Sequence, residues 1–200
     1  GLVPQVFKGN VLHDMVGPIG IGHTRYSTTG SSHLRNAQPL TVDCARGQIA
    51  IAHNGNLTNA AQLREELEAR GSIFQTSVDS EIILHLLAQP TLHGETNNLV
   101  RSLHRIEGAY SLVIMTENEL IGVRDPHGFR PLCLGQIDGA WVLASETCAL
   151  DLINAEYVRD VEPGEIVVIN RDGVTSMQAF PEHKRRAFCI FEYVYFARPD

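Results

Sequence analysis

Apolar positions change period twice along this chain. Residues 16–22 form an apolar run broken by glycines, which reads as a strand. Runs at 40–44 and 48–53 flank Ala45-Arg46-Gly47, the pattern of a β-hairpin. From residue 59 the repeat turns helical: over 59–70, Leu63 and Leu67 share one face, and Glu66 and Arg70 stand four apart on another. Thr58 or Asn59 can cap that helix, and Gly71 suits the position just past its end. A second helix is predicted over 79–88, with Ile82, Ile83, Leu86 and Leu87 inward, Ser77 as cap and Pro90 as stop. A third covers 97–106 along Leu99, Leu103 and Ile106. Short apolar runs separated by turns then return at 110–116, 120–124, 132–136 and 140–145. A brief helix over 147–153 precedes a hairpin of 164–170 and 174–180. Strands, then helices, then strands predict an α+β domain built on antiparallel sheets.

Composition narrows the partners. The 200 residues are 44% hydrophobic and 20% charged, ordinary for a globular protein. A formal net charge of -7 argues against a nucleic-acid partner. The only basic run, residues 184–186, reads as a solvated connector. No apolar run is long enough to span a membrane, and no signal-peptide pattern is present. Cys44, Cys133, Cys148 and Cys189 are widely spaced without a CxxC pair, which suits a reducing, cytoplasmic setting. The chain starts on Gly1 and stops just past an apolar run, so both ends read as cut from a longer protein.

Three stretches carry unusual chemistry. GHTRYSTTG, residues 22–30, sets one cation, Arg25, among hydroxyls between two glycines. A planar guanidinium suits bidentate recognition of a carboxylate, although an arginine at a strand end is commonly a surface residue. HNGNL, residues 53–57, ends the strand before it. Asn-Gly is a turn signal in its own right. The Asn54 amide and the Gly55 N–H are also two adjacent donors that can point at one oxygen, as an oxyanion hole requires. SVDSE, residues 77–81, places Asp79 in the first turn of a helix, where the dipole favours an anion. That position leaves it free to hold an ammonium group. Cation, anion and paired donors together fit an α-amino acid with a side-chain carbonyl.

These stretches, with NAQPL (36–40), RDPHGFRPL (124–132) and VLASE (142–146), resemble in order the glutaminase domain of the glutamine phosphoribosylpyrophosphate amidotransferases. FCIFEYVYFARPD (188–200) is similar to that family's entry into its phosphoribosyltransferase domain. The resemblance implies residues 1–183 as glutaminase domain, lacking its N-terminal segment, and 184–200 as connector and start of the second domain. It implies an N-terminal-nucleophile hydrolase fold: four layers, αββα, with two antiparallel sheets between helices. By the same resemblance Arg25 binds the glutamine α-carboxylate, Asp79 its α-ammonium, and Asn54 and Gly55 the tetrahedral oxyanion.

In the family an N-terminal Cys attacks the glutamine amide, and the released ammonia passes to phosphoribosylpyrophosphate to give 5-phosphoribosylamine for purine synthesis. That Cys precedes the segment resembling this chain, and no internal cysteine has a free α-amine, so the chain is expected to be inactive alone. No cofactor is expected within it. The full-length family uses Mg²⁺, and some members carry a [4Fe–4S] cluster, with Cys189 at the place of one ligand. A homo-oligomer is implied for the full-length protein. Arg124, Asp125 and Arg130 are expected to form an ion-paired structural loop, and His23 and His53 to brace strands. Other class II amidotransferases, such as glucosamine-6-phosphate synthase, and a non-catalytic binding module built on the same fold are the alternatives.

Overall fold

The computed structural model describes residues 3–7, 11–24, 33–90, 98–181, 186–187 and 189–190. Two short helices open it, α1 (Val3–Val6) and α2 (Val11–Asp14). The strand expected over 16–22 is absent: those residues pair with neither sheet. Pro18 lacks an N–H, and Gly17, Gly20 and Gly22 give no side chains to pack, so the apolar residues cannot hold a ladder.

The hairpin of β1 (Leu40–Cys44) and β2 (Gly47–Leu57) forms as predicted. Helices α3 (Ala60–Ala69), α4 (Ser80–Ala88) and α5 (Asn98–Leu103) follow. Then come β3 (Gly108–Met115), β4 (Leu120–Arg124), β5 (Cys133–Ile137) and β6 (Ala140–Ala144). Helix α6 (Thr147–Leu152) leads to β7 (Glu156–Asp160), β8 (Glu165–Asn170) and β9 (Gly173–Gln178). One antiparallel sheet has the order β1-β2-β3-β4-β8-β9, the other β6-β5-β7. Strand β7 was not anticipated. Its sequence, EYVRD, lies on an exposed edge and lacks the alternation that marks a half-buried strand.

Alternation along the strands of the large sheet divides the core. On β3, Leu112 and Ile114 face the helices and pack with Leu63, Ile82, Ile83 and Leu103, whereas Val113 faces the small sheet. On β8, Ile166 and Val167 divide in the same way. The small sheet answers with Leu132, Leu134, Trp141 and Leu143. Two glycines allow the layers to close. A methyl on Gly122 would lie 2.8 Å from Leu143, and one on Gly135 would lie 2.7 Å from Leu150 of α6. The layers therefore run helix, sheet, sheet, helix, the αββα architecture expected.

Local closures differ from expectation at the helix starts. Asn59 precedes α3, but its side chain donates to the Arg105 carbonyl at 2.9 Å and accepts the Glu107 N–H at 3.0 Å instead of capping. It thus ties α3 to the entrance of β3. Ser77 does not cap α4 either: Asn36 donates to its hydroxyl at 2.9 Å and accepts its N–H at 3.2 Å. Gly71 does close α3, where its N–H reaches the Glu68 carbonyl and that of Ser72 the Leu67 carbonyl.

Candidate functional site

The site begins where a strand stops. β1 accompanies β2 only as far as the Leu40–Ile51 pair. Beyond it, β2 keeps β3 on one side and presents an open edge on the other. Side chains bind that edge. Gln38 accepts the His53 N–H at 2.7 Å, His23 Nε2 lies 3.2 Å from the His53 carbonyl, and Asp79 Oδ2 accepts the Leu57 N–H at 2.9 Å. N–H groups alternate sides along a strand, so Gly55, midway between His53 and Leu57, turns its N–H to the same edge. Its partner in β3 agrees: Tyr110 gives both backbone groups to Asp125, accepting from its N–H at 2.9 Å and donating to its carboxylate at 3.4 Å.

Asn54-Gly55 is therefore no turn and does not end the strand: β2 runs through it to Leu57. Pairing with β3 overrides the local preference. The glycine is obligatory here because φ is +144° and a Cβ would lie 2.0 Å from the Ala109 carbonyl oxygen.

A cavity of about 700 Å³ opens against this edge. It is lined by Asn54, Gly55 and Asp79, by His23 and Thr24, and by Arg130, Ser145 and Glu146 from the far side. Three of the predicted site residues thus meet in one space. The fourth, Arg25, lies outside the described residues, and Thr24 beside it lines the cavity. A smaller cavity, about 410 Å³, lies by Thr41, Gln48 and Glu117 and contains none of the predicted site residues.

Asp79 is the carboxylate on the β2 side of the wall. Burial acts to raise its carboxyl, but the His53 hydrogen bond and charge, with the N–H groups of Leu57 and Ser80, outweigh burial and hold it below the ordinary 3.8. It is a carboxylate at neutral pH. His53 Nδ1 lies 3.3 Å from Asp79 Oδ1 and 3.3 Å from the Ser80 hydroxyl. The bracing expected of His23 and His53 is present.

One expectation changes. Arg124 and Asp125 form no ion pair with each other. Arg124 donates to the carbonyls of Gly128, Arg130 and Val161, and buried Asp125 accepts the N–H groups of His127 and Arg130. The loop is held by backbone hydrogen bonds, and Arg130 reaches the cavity. Sequence reasoning also gave Gln38 no role, although its place directly before Pro39 at a strand start is the visible signal. Cys189 is a free thiol, half-buried, and among the described residues no three His, Cys, Asp or Glu side chains stand together to hold a metal. Among the same residues no helix is long and apolar enough to cross a membrane.

Comparison with known proteins places the family and the fold. Residues 23–152 match the sequence family described as glutamine amidotransferase domain. Amidophosphoribosyltransferase 2, chloroplastic, of Arabidopsis thaliana is 49% identical over 201 residues, covering 100% of this chain and 36% of its own. Among solved structures, an allosteric regulatory enzyme of purine biosynthesis superimposes with a TM-score of 0.92 at 44% identity, over 100% of this chain and 43% of that one. Glutamine phosphoribosylpyrophosphate amidotransferase from B. subtilis, complexed with ADP and GMP, gives 0.81 at 44% identity, over 89% of this chain and 38% of that one. The chain spans well under half the length of these relatives.

Proposed function

The chain belongs to the glutamine amidotransferase domain family, and from that premise we propose that its cavity binds glutamine and stabilises the oxyanion of its hydrolysis. The observation that supports this most directly is the open edge of β2. There Asn54, Gly55 and Asp79 border one cavity. In this reading Asp79 holds the α-ammonium, and Arg25 holds the α-carboxylate. Asn54 and Gly55 donate to the amide oxygen as it gains charge. Donors already held in a strand need no reorganisation at that moment.

The whole protein is proposed to act as an amidophosphoribosyltransferase, the name its relatives carry. A cysteine upstream would supply the nucleophile. Ammonia would pass to phosphoribosylpyrophosphate, giving 5-phosphoribosylamine for purine synthesis. Residues 184–200 would open the phosphoribosyltransferase domain, which would bring the Mg²⁺ with its pyrophosphate substrate, and the full-length chains would associate as a homo-oligomer. A cluster at Cys189 would need several further thiolates. Four free cysteines fit a reducing compartment, the cytoplasm in our reading.

The test is made in the complete natural protein. Asn54→Ala should lower glutamine-dependent turnover by about 10²–10³, as for loss of one oxyanion donor, and leave turnover with free ammonia intact. Asp79→Ala should raise the KM for glutamine, since the charged hydrogen bond lost is worth about 1.5–3 kcal/mol. Unchanged glutamine kinetics in both variants would refute the assignment.

A further inference from the structure

We infer that His53 is a positioning residue for recognition of the α-ammonium: its ring holds the Asp79 carboxylate in the orientation that faces the ligand. The inference rests on the glutamine reading above and adds to it a residue whose role is to orient another.

Asp79 is gripped from two directions. Oδ2 accepts the Leu57 N–H at 2.9 Å, and Oδ1 lies 3.3 Å from His53 Nδ1. A carboxylate offers about four lone-pair sites, so the Leu57 bond and the His53 contact fix its rotation and leave capacity toward the cavity. The ring is itself immobilised. Its backbone N–H is bound by Gln38 and its carbonyl by His23, and the residue is 4% exposed. Nε2 is buried and meets no partner among the described residues. All the polar contact of the ring is therefore spent at Nδ1, on Asp79 and Ser80.

A nucleophilic relay is the competing reading of Ser80, His53 and Asp79, and the geometry rejects it. A serine–histidine–carboxylate relay places the serine on one ring nitrogen and the carboxylate on the other. Here both contacts converge on Nδ1. A histidine whose polar contacts end at a carboxylate in the cavity wall is arranged to orient that carboxylate.

Two ligands separate this role from simple bracing of the strand. L-Glutamine carries the α-ammonium. Glutaramic acid is the same molecule without the α-amino group, so it makes no demand on Asp79. Binding of both is measured by titration calorimetry on the complete natural protein, its upstream cysteine replaced by alanine to stop turnover, and on the same protein carrying His53→Leu, His53→Asn or His53→Gln. Asparagine places its amide nitrogen near the position of Nδ1, whereas glutamine reaches only toward Nε2. His53→Leu and His53→Gln should weaken L-glutamine binding about tenfold or more, as for a charged hydrogen-bond partner left loose. Glutaramic acid should bind all forms alike, and His53→Asn should retain most of the preference for L-glutamine.

Equal losses for both ligands would overturn the inference and leave a structural role. So would an unaffected His53→Leu. If His53→Leu does not fold, judged by thermal melting, His53→Asn against His53→Gln decides, and equal preference in the two overturns the inference. A parent chain that binds neither ligand refutes the glutamine reading and this inference with it. A parent that prefers L-glutamine while the His53 variants keep that preference refutes this inference alone.

Discussion

Gly55→Ala tests the strand geometry independently of any ligand. The new Cβ would lie 2.0 Å from the Ala109 carbonyl oxygen, 2.9 Å from its carbon and 2.8 Å from the Tyr110 Cα. All three are backbone atoms, so no side-chain rotation relieves the clash. Relief requires β2 and β3 to part where Asn54 faces Ser111 and Asn56 faces Ala109. Overpacking of this kind costs about 1–3 kcal/mol. Holding alanine at φ +144° adds a strain term, of order 1–3 kcal/mol. In a chain of this size 1 kcal/mol moves Tm by roughly 2–4 °C, so a fall of about 5–20 °C is expected. Gly139→Ala is the control. Its φ is +82° but no atom lies within 4 Å, which leaves only the backbone term, about 1–2 kcal/mol. Thermal melts followed by circular dichroism compare the two. A Gly55→Ala protein that melts within about 2 °C of the parent, or no lower than Gly139→Ala, would refute the close strand approach.

Two further predictions follow from buried titrating groups. Cys133 is 2% exposed, and burial with the nearby Asp160 charge pushes its thiol up to about 11. A thiol reagent near neutral pH should label half-buried Cys44, Cys148 and Cys189 in the native chain, but Cys133 only on unfolding; equal labelling rates would refute this. Glu165 pairs with Arg159 at 2.7 and 2.8 Å. Burial acts to raise its carboxyl, but bonds from Arg159, the Glu162 N–H and Ser176 hold it below the ordinary 4.5. A carboxyl depressed in the folded state stabilises above its unfolded pKa, and the contribution fades as pH falls through the lower folded value. In urea unfolding, Glu165→Gln should therefore be less stable than the parent at neutral pH and converge with it in acid. A gap independent of pH would refute the pairing.

What was legible in the sequence was local, and what was not depended on neighbours distant in the chain. The β1–β2 hairpin and the end of α3 at Gly71 are set by residues within a few positions of each other, and they form as read. Asn54-Gly55 reads as a turn on local preference, yet it stands in a strand because Gly108–Ser111 pair beside it. Asp79 was recognisable as a carboxylate at a helix start. Its partners, Leu57 and His53, lie more than twenty residues away, and no pattern names them. The deeper reason the site exists is also a strand ending. The ladder beside β2 stops at Leu40, directly after Pro39. The backbone groups left open past Ile51 must then be satisfied by something else. Gln38 and Asp79 take two of the N–H groups, His23 takes a carbonyl, and the Gly55 N–H between them faces the cavity edge. The open N–H of Gly55 thus depends on where β1 begins, and NAQPL and HNGNL meet at one edge through the bond between Gln38 and the His53 N–H.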